Sequence, residues 1–104
     1  MRRSAYLRAA VLGLVSVTQL TLAEDLAPDI FIRIHNPHGD DREVQVVDEV
    51  CERLAWDGRL GSHDYETVEV CSRMGRGEIS ITDLRSGQRE RHRDILDGMW
   101  FATP

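Results

Sequence analysis

DIFIRI, the stretch at residues 29–34, decides the fold of this chain. Isoleucine occupies every second position, and phenylalanine and arginine stand between the isoleucines. Because successive side chains of a strand point to opposite faces, this alternation predicts a β-strand with one apolar face. The stretch NPHGDD at residues 36–41 is dense in turn-forming residues, so it predicts the end of that strand.

Alternation of this kind recurs along the rest of the chain, with turn signals about every 8 to 12 residues. Further strands are predicted at residues 43–47, 53–60, 65–70 and 79–82, in the arginine-rich stretch after Gly87, and at 99–102. About seven short strands are typical of a small β-sandwich. The layout is similar in outline to small immunoglobulin-like exported domains. We therefore expect an all-β, immunoglobulin-like β-sandwich that occupies residues 30–104 as a single domain.

A second interpretation competes for part of the chain. Val44, Val47, Cys51 and Leu54 are also spaced like one face of a helix, and residues 88–96 allow a second, shorter helix. The result would be an α+β, ferredoxin-like arrangement. We favour strands, because β-branched valines lose side-chain freedom in a helix. In addition, the alternation of RLAWDGRL runs straight through the end of the proposed helix.

The first 23 residues predict a cleaved export signal. Three arginines precede an apolar stretch at residues 9–22, and Thr21 and Ala23 place small side chains before the predicted cleavage point. The stretch is shorter than the ~20 apolar residues that a membrane span needs. We therefore expect no stable membrane anchor after cleavage, with an uncleaved anchor as the alternative. Residues 24–29 then form a short, mobile acidic lead-in, and the protein is exported to the periplasm or the extracellular space.

Two cysteines, Cys51 and Cys71, remain after cleavage. An even count in a small exported domain indicates a disulfide, and only one pairing is possible. The alternative is a pair of metal-binding or redox thiols. The chain has no Cys-x-x-Cys motif, and a separation of 20 residues is not a zinc-ligand spacing.

The charge of the mature chain limits its partners. Residues 24–104 contain ten arginines and 18 acidic residues, which gives a net charge of −8 with histidine neutral. A surface this acidic repels phosphate backbones and anionic lipid, so we expect no nucleic-acid partner. The alternating charges at residues 85–93 predict one solvated strand face rather than a binding patch.

No combination of residues predicts catalysis. The chain lacks a Gly-x-Ser-x-Gly elbow and a glycine-rich phosphate loop, and its cysteines are expected to be oxidised. Metal ligands come closest to a chemical signal, because His35 and His38 stand three residues apart and His63 lies in a later turn. Imidazole together with carboxylate suits zinc or copper(II). These three histidines are the candidate metal ligands, and no other cofactor is predicted.

The aromatic residues divide between core and surface. Trp56 shares the predicted apolar face of residues 53–60 with Leu54 and Leu60, so we expect it to fill the core. The terminal run Met99, Trp100 and Phe101 places apolar groups on both faces of the last strand. A two-sided apolar strand at a sheet edge often marks a contact with another chain, so these three residues are the candidate partner contacts.

Two functions are therefore compatible with the sequence. The first is a non-enzymatic, exported interaction module that one disulfide stabilises and that binds a protein partner. The alternative is a periplasmic metal-binding protein that uses the His-x-x-His turn.

Overall fold

The structure, a computed structural model, describes residues 28–104. These residues form seven strands and no helix: β1 (Pro28–His35), β2 (Arg42–Asp48), β3 (Arg53–Leu60), β4 (Tyr65–Cys71), β5 (Gly77–Asp83), β6 (Arg89–Ile95) and β7 (Trp100–Ala102). The predicted export signal at residues 1–23 lies outside the described residues, as does most of the predicted lead-in. Strand β1 begins at Pro28, two residues before the predicted start of the domain.

The strands form two sheets. The three-stranded sheet has the order β4-β1-β7, in which β4 is antiparallel and β7 is parallel to β1. The four-stranded sheet has the order β3-β2-β5-β6, and all its pairs are antiparallel. The chain thus crosses from β1 to the β2–β3 hairpin in the other sheet and returns for β4, as in an immunoglobulin-like sandwich. The predicted fold class is confirmed and the ferredoxin-like alternative is wrong, since both proposed helices are strands.

Inward-facing side chains of both sheets fill the space between them. Isoleucine and valine dominate this core, since β-branched side chains suit a pleated, buried surface. The buried members are Ile30, Ile32, Ile34, Val44, Val46, Leu60, Val68, Val70, Ile79, Ile81 and Ile95, and Ala55, Trp56 and Phe101 pack against them.

One expectation about β3 is wrong. Trp56 and Leu60 contact the core as predicted, but the side chain of Leu54 is 49% exposed. Val46 pairs with Trp56 and Val47 pairs with Leu54, so Ala55 is an extra residue that forms a β-bulge. A shift of one residue moves the following side chains to the opposite face, and this shift turns Leu54 outward.

The predicted disulfide is present and joins the two sheets. Cys51, in the turn after β2, bonds to Cys71 at the end of β4, with 5.9 Å between the Cα atoms. The fully buried carboxylate of Asp48 lies beside it. Oδ1 of Asp48 accepts the backbone N–H groups of Val50 and Cys51 at 3.1 Å, and Oδ2 accepts the N–H of Cys71 at 2.7 Å. One carboxylate therefore holds the backbones of both half-cystines.

A buried amide organises the opposite end of the sandwich. Nδ2 of Asn36 faces the carbonyl oxygens of Asp40, Leu60 and Gly61 at 2.8, 3.0 and 3.1 Å. Its Oδ1 accepts the backbone N–H of His38 at 2.9 Å. These bonds fix two neighbouring loops, and the three-stranded sheet is therefore anchored at both of its ends.

Candidate interaction face

Among residues 28–104, the exposed phenylalanine, tyrosine and tryptophan rings all lie on the outer surface of the three-stranded sheet. Every second side chain of β1 points outward, which places Phe31, Arg33 and His35 on this surface, and the neighbouring strands add Tyr65 and Trp100. We call these five residues the aromatic face. Phe31, Tyr65 and Trp100 are 49%, 50% and 52% exposed. Half-exposed rings of this size, gathered on one sheet, are unusual for a surface that contacts only water.

Trp100 is the centre of this face. Its ring lies 5.1 Å from the ring of Tyr65 and 6.0 Å from that of His35, measured between centroids. Tyr65 belongs to β4 and Trp100 to β7, so the two rings lean toward each other across β1. These contacts limit the side-chain motion of all three residues, so little conformational entropy remains to be lost on binding.

A cation is packed into the same group. The guanidinium carbon of Arg33 lies 5.3 Å from the centroid of the Trp100 ring, within the range of a cation–π contact. Among residues 28–104 Arg33 makes no ion pair, so its donors stay available. Glu69 stands opposite Phe31 on β4 and adds an exposed carboxylate. The face thus offers apolar rings with one donor group and one acceptor group at its border.

The three terminal candidates take different positions. Met99, in the turn before β7, is 40% exposed, and Trp100 points outward. Phe101 points inward, because side chains alternate along β7, and its ring packs against that of His92 in a tilted arrangement, with 4.6 Å between the centroids. Met99 and Trp100 are therefore accessible to a partner, whereas Phe101 helps to close the edge of the core.

Strand β7 forms one edge of the sheet, as its position in the strand order shows. The backbone N–H of Arg33 donates to the carbonyl of Met99, and the N–H of Thr103 donates to the carbonyl of His35. Because backbone groups alternate in direction along a strand, those of Trp100 and Ala102 point away from β1. The edge thus presents backbone donors and acceptors beside the aromatic face.

The structure places the three predicted metal ligands in separate surroundings. His35 contacts Trp100, and Nε2 of His38 lies 3.0 Å from the carbonyl oxygen of Pro104. His63 occupies a turn with a positive φ of 60°. Within residues 28–104, none of these three imidazoles belongs to a group of three or more possible ligand atoms that lie within 4.8 Å of one another. A site built on fewer of them stays a prediction.

One set of possible ligands does meet that distance, namely Asp48, Cys51 and Cys71. The two sulfur atoms are bonded to each other, and both carboxylate oxygens of Asp48 accept backbone N–H groups. In this state the set stabilises the fold and does not offer a thiolate to a metal.

Sequence reasoning missed Phe31, Arg33 and Tyr65 as members of the site. Phe31 and Arg33 lie on the face of DIFIRI opposite the isoleucines, and the face of a strand opposite the core is ordinarily solvated. The missing information was the pairing of β1 with β4 and β7, which brings residues 65 and 100 to the same face. The sequence did hold one signal for this site, namely the large aromatic Phe31 at a position that faces away from the core.

No protein-family model, curated protein or solved structure matches this chain. The part of the chain that the structure describes contains no helix able to span a membrane.

Proposed function

We propose that this protein is a non-enzymatic, exported interaction module that binds a protein partner through the aromatic face. The observation that carries the proposal is the packing of Tyr65, His35 and Arg33 around a Trp100 ring that remains 52% exposed. Tryptophan, tyrosine and arginine are the residues that most often dominate the energy of protein–protein binding.

The platform that holds these rings supports the same function. Strands and a disulfide keep the backbone of the face in place, so a partner meets side chains that are already arranged. The exposed edge of β7 offers backbone hydrogen bonds next to Trp100, a geometry that suits an extended segment of another protein. The net charge of −8 over residues 24–104 favours a protein partner over a nucleic acid.

Export is supported by two independent features. The basic and apolar pattern of residues 1–23 is typical of a secretory signal. The disulfide between Cys51 and Cys71 suggests an oxidising environment outside the cytoplasm. We place the protein in the periplasm or the extracellular space on these grounds.

A comparison of two exposed side chains tests the function. Trp100→Ala removes the centre of the face, whereas Leu84→Ala removes a side chain of similar exposure, 49%, after β5 of the other sheet. Proteins crosslinked to the wild type in its native compartment are identified by mass spectrometry, and each candidate is purified and titrated by calorimetry. We expect Trp100→Ala to weaken binding of the true partner by about tenfold or more, and Leu84→Ala to leave it unchanged.

Two results would contradict the proposal. One is a purified partner that binds Trp100→Ala as tightly as it binds the wild type. The other is turnover of a substrate by the purified domain, because that result would make the protein an enzyme.

A further inference from the structure

A cleft of about 610 Å³ opens at the disulfide end of the sandwich. Its lining includes Arg73, Met74, Arg76, Arg93 and Asp94, together with the apolar side chain of Val50. The volume lies within the ~300–1,000 Å³ of small-molecule sites. We call this feature the arginine cleft; it does not include any residue of the aromatic face.

The charge of the cleft is opposite to that of the domain. Three guanidinium groups line it against two carboxylates, those of Glu78 and Asp94. Glu78 is already engaged, because Arg91 lies 2.5 Å from its Oε2 and Arg93 lies 3.5 Å from the same atom. Within residues 28–104 the side chains of Arg73 and Arg76 make no hydrogen bond or ion pair with the chain itself. Their donors are therefore available to an anion.

The turn between β4 and β5 gives a second, independent indication of binding. Arg73 and Arg76 exchange two backbone hydrogen bonds, of 2.8 and 3.1 Å, so Met74 and Gly75 form a two-residue turn. Both have positive φ angles, 55° and 79°, which suit asparagine or glycine but disfavour methionine. The Met74 side chain is also 94% exposed. Met74 is thus a large apolar side chain in an unfavourable backbone conformation, without cover from residues 28–104, and it is free to contact a ligand.

We propose that the arginine cleft binds a phosphate group that bears a short apolar substituent. One guanidinium group can donate two parallel hydrogen bonds to the oxygens of a phosphate. A tetrahedral phosphate can also accept hydrogen bonds from guanidinium groups on different sides, whereas the oxygens of a carboxylate lie in one plane. The exposed Met74 then covers the apolar substituent. The acidic domain repels such a ligand at a distance, but screening confines that repulsion to about 8 Å at physiological salt.

The ligand chemistry has two possible sources, a soluble phosphate ester or a phospholipid headgroup. Hexyl phosphate is therefore titrated into the full exported protein by calorimetry, and cosedimentation is measured with vesicles of phosphatidylglycerol and of phosphatidylcholine. Binding of hexyl phosphate shows that a soluble ester suffices. Binding restricted to phosphatidylglycerol vesicles assigns the phosphate to a lipid.

One double variant and one matched double control locate the site. Arg73→Gln with Arg76→Gln is expected to weaken binding by about tenfold or more, because it removes charge-assisted hydrogen bonds. Arg59→Gln with Arg85→Gln makes the same change of charge at the opposite end of the sandwich and is expected to alter binding by less than about twofold.

A third variant tests the apolar part of the proposal. Met74→Asn keeps a residue that accepts a positive φ, so the turn is preserved. It should abolish the preference for hexyl phosphate over inorganic phosphate without reducing the affinity for inorganic phosphate. The proposal is overturned if hexyl phosphate and phosphatidylglycerol vesicles both fail to bind. Equal weakening by the cleft pair and the control pair would overturn it too.

Discussion

Asp48 ties together the backbone at the disulfide end of the domain. Its buried carboxylate accepts three backbone N–H groups, two of them from the half-cystines themselves. Asp48→Asn has the same shape, but its amide NH2 must face at least one of those N–H donors. A hydrogen bond to a charged group contributes about 1.5–3 kcal/mol, so we expect the free energy of unfolding to fall by about 2 kcal/mol or more.

The measurement is a thermal melt. For a domain of this size, about 2 kcal/mol lowers the melting temperature by about 8–16 °C. Asp57→Asn, at an exposed position of β3, makes the same chemical change without buried bonds and should shift the melting temperature by less than about 2 °C. Equal shifts for the two variants would show that Asp48 has no special structural role.

Asp83 makes the stability depend on acidity. Burial raises the pKa of this carboxyl, but the N–H groups of Arg85 and Ser86 and the guanidinium of Arg42 outweigh burial, so the pKa falls below its usual 3.8. A carboxyl with a lowered pKa stabilises the fold above its unfolded pKa, and that contribution is lost as the pH falls through the folded value. We therefore expect Asp83→Asn to destabilise the domain at pH 6.

The difference in the free energy of unfolding between wild type and Asp83→Asn should shrink as the pH falls below about 4, because protonated aspartic acid is neutral like asparagine. Urea unfolding at pH 6, 4 and 3 measures this difference. The carboxyls of Asp40 and Glu49 also have lowered pKa values, so their contributions to stability are likewise lost as the pH falls. Arg42 donates the hydrogen bond that lowers the pKa of Asp40, and Ser80 donates the one that lowers the pKa of Glu49. A difference that stays constant from pH 6 to pH 3 would contradict the role of the Asp83 charge.

At the scale of the elements, local pattern was enough to find the strands. Local patterns located all seven, and at β2 the β-branched valines, rather than alternation, decided correctly between strand and helix. The pattern did not reveal which strands pair, because pairing depends on contacts between residues far apart in sequence. The parallel pairing of β1 with β7 and the bulge at Ala55 have no local signature, and for this reason the exposure of Leu54 was mispredicted.

The candidate site, too, was predictable only where the signal is local in sequence. Trp100 and Met99 were identified because a run of apolar residues at the chain end is visible in the sequence. Tyr65 and Arg33 were not, because each looks ordinary within its own strand and becomes part of a site only across β1. The buried polar residues Asp48 and Asn36 were missed because a turn-forming residue looks the same whether it is solvated or buried.

The disulfide is the covalent link between elements, and its removal should be costly. In the chain-entropy model a loop of about 20 residues contributes roughly 3 kcal/mol. Reduction, or Cys51→Ala with Cys71→Ala, should lower the melting temperature by at least ~8 °C. The intact mass of the oxidised protein should be two hydrogens below that of the reduced chain. Two freely alkylated thiols in native exported protein would contradict this prediction.

For the whole molecule, the first expectation concerns its processing. A signal at residues 1–23 predicts that exported protein begins at Glu24. Intact-mass analysis of protein recovered from the exporting compartment checks this directly. Ala23→Leu replaces the small residue before the cleavage point and should leave the precursor uncleaved, whereas Ala27→Leu should be processed normally. Recovery of the full-length chain from the wild type would favour the uncleaved anchor.

The parallel pairing of the first and last strands has a mechanical consequence. Since β1 and β7 run in the same direction, a force applied between Pro28 and Ala102 pulls them past each other along their axes. Their hydrogen bonds then break together rather than one after another, so single-molecule extension should show one abrupt rupture. The disulfide spans 20 residues, so the oxidised chain should extend about 65 Å less than the reduced chain after rupture.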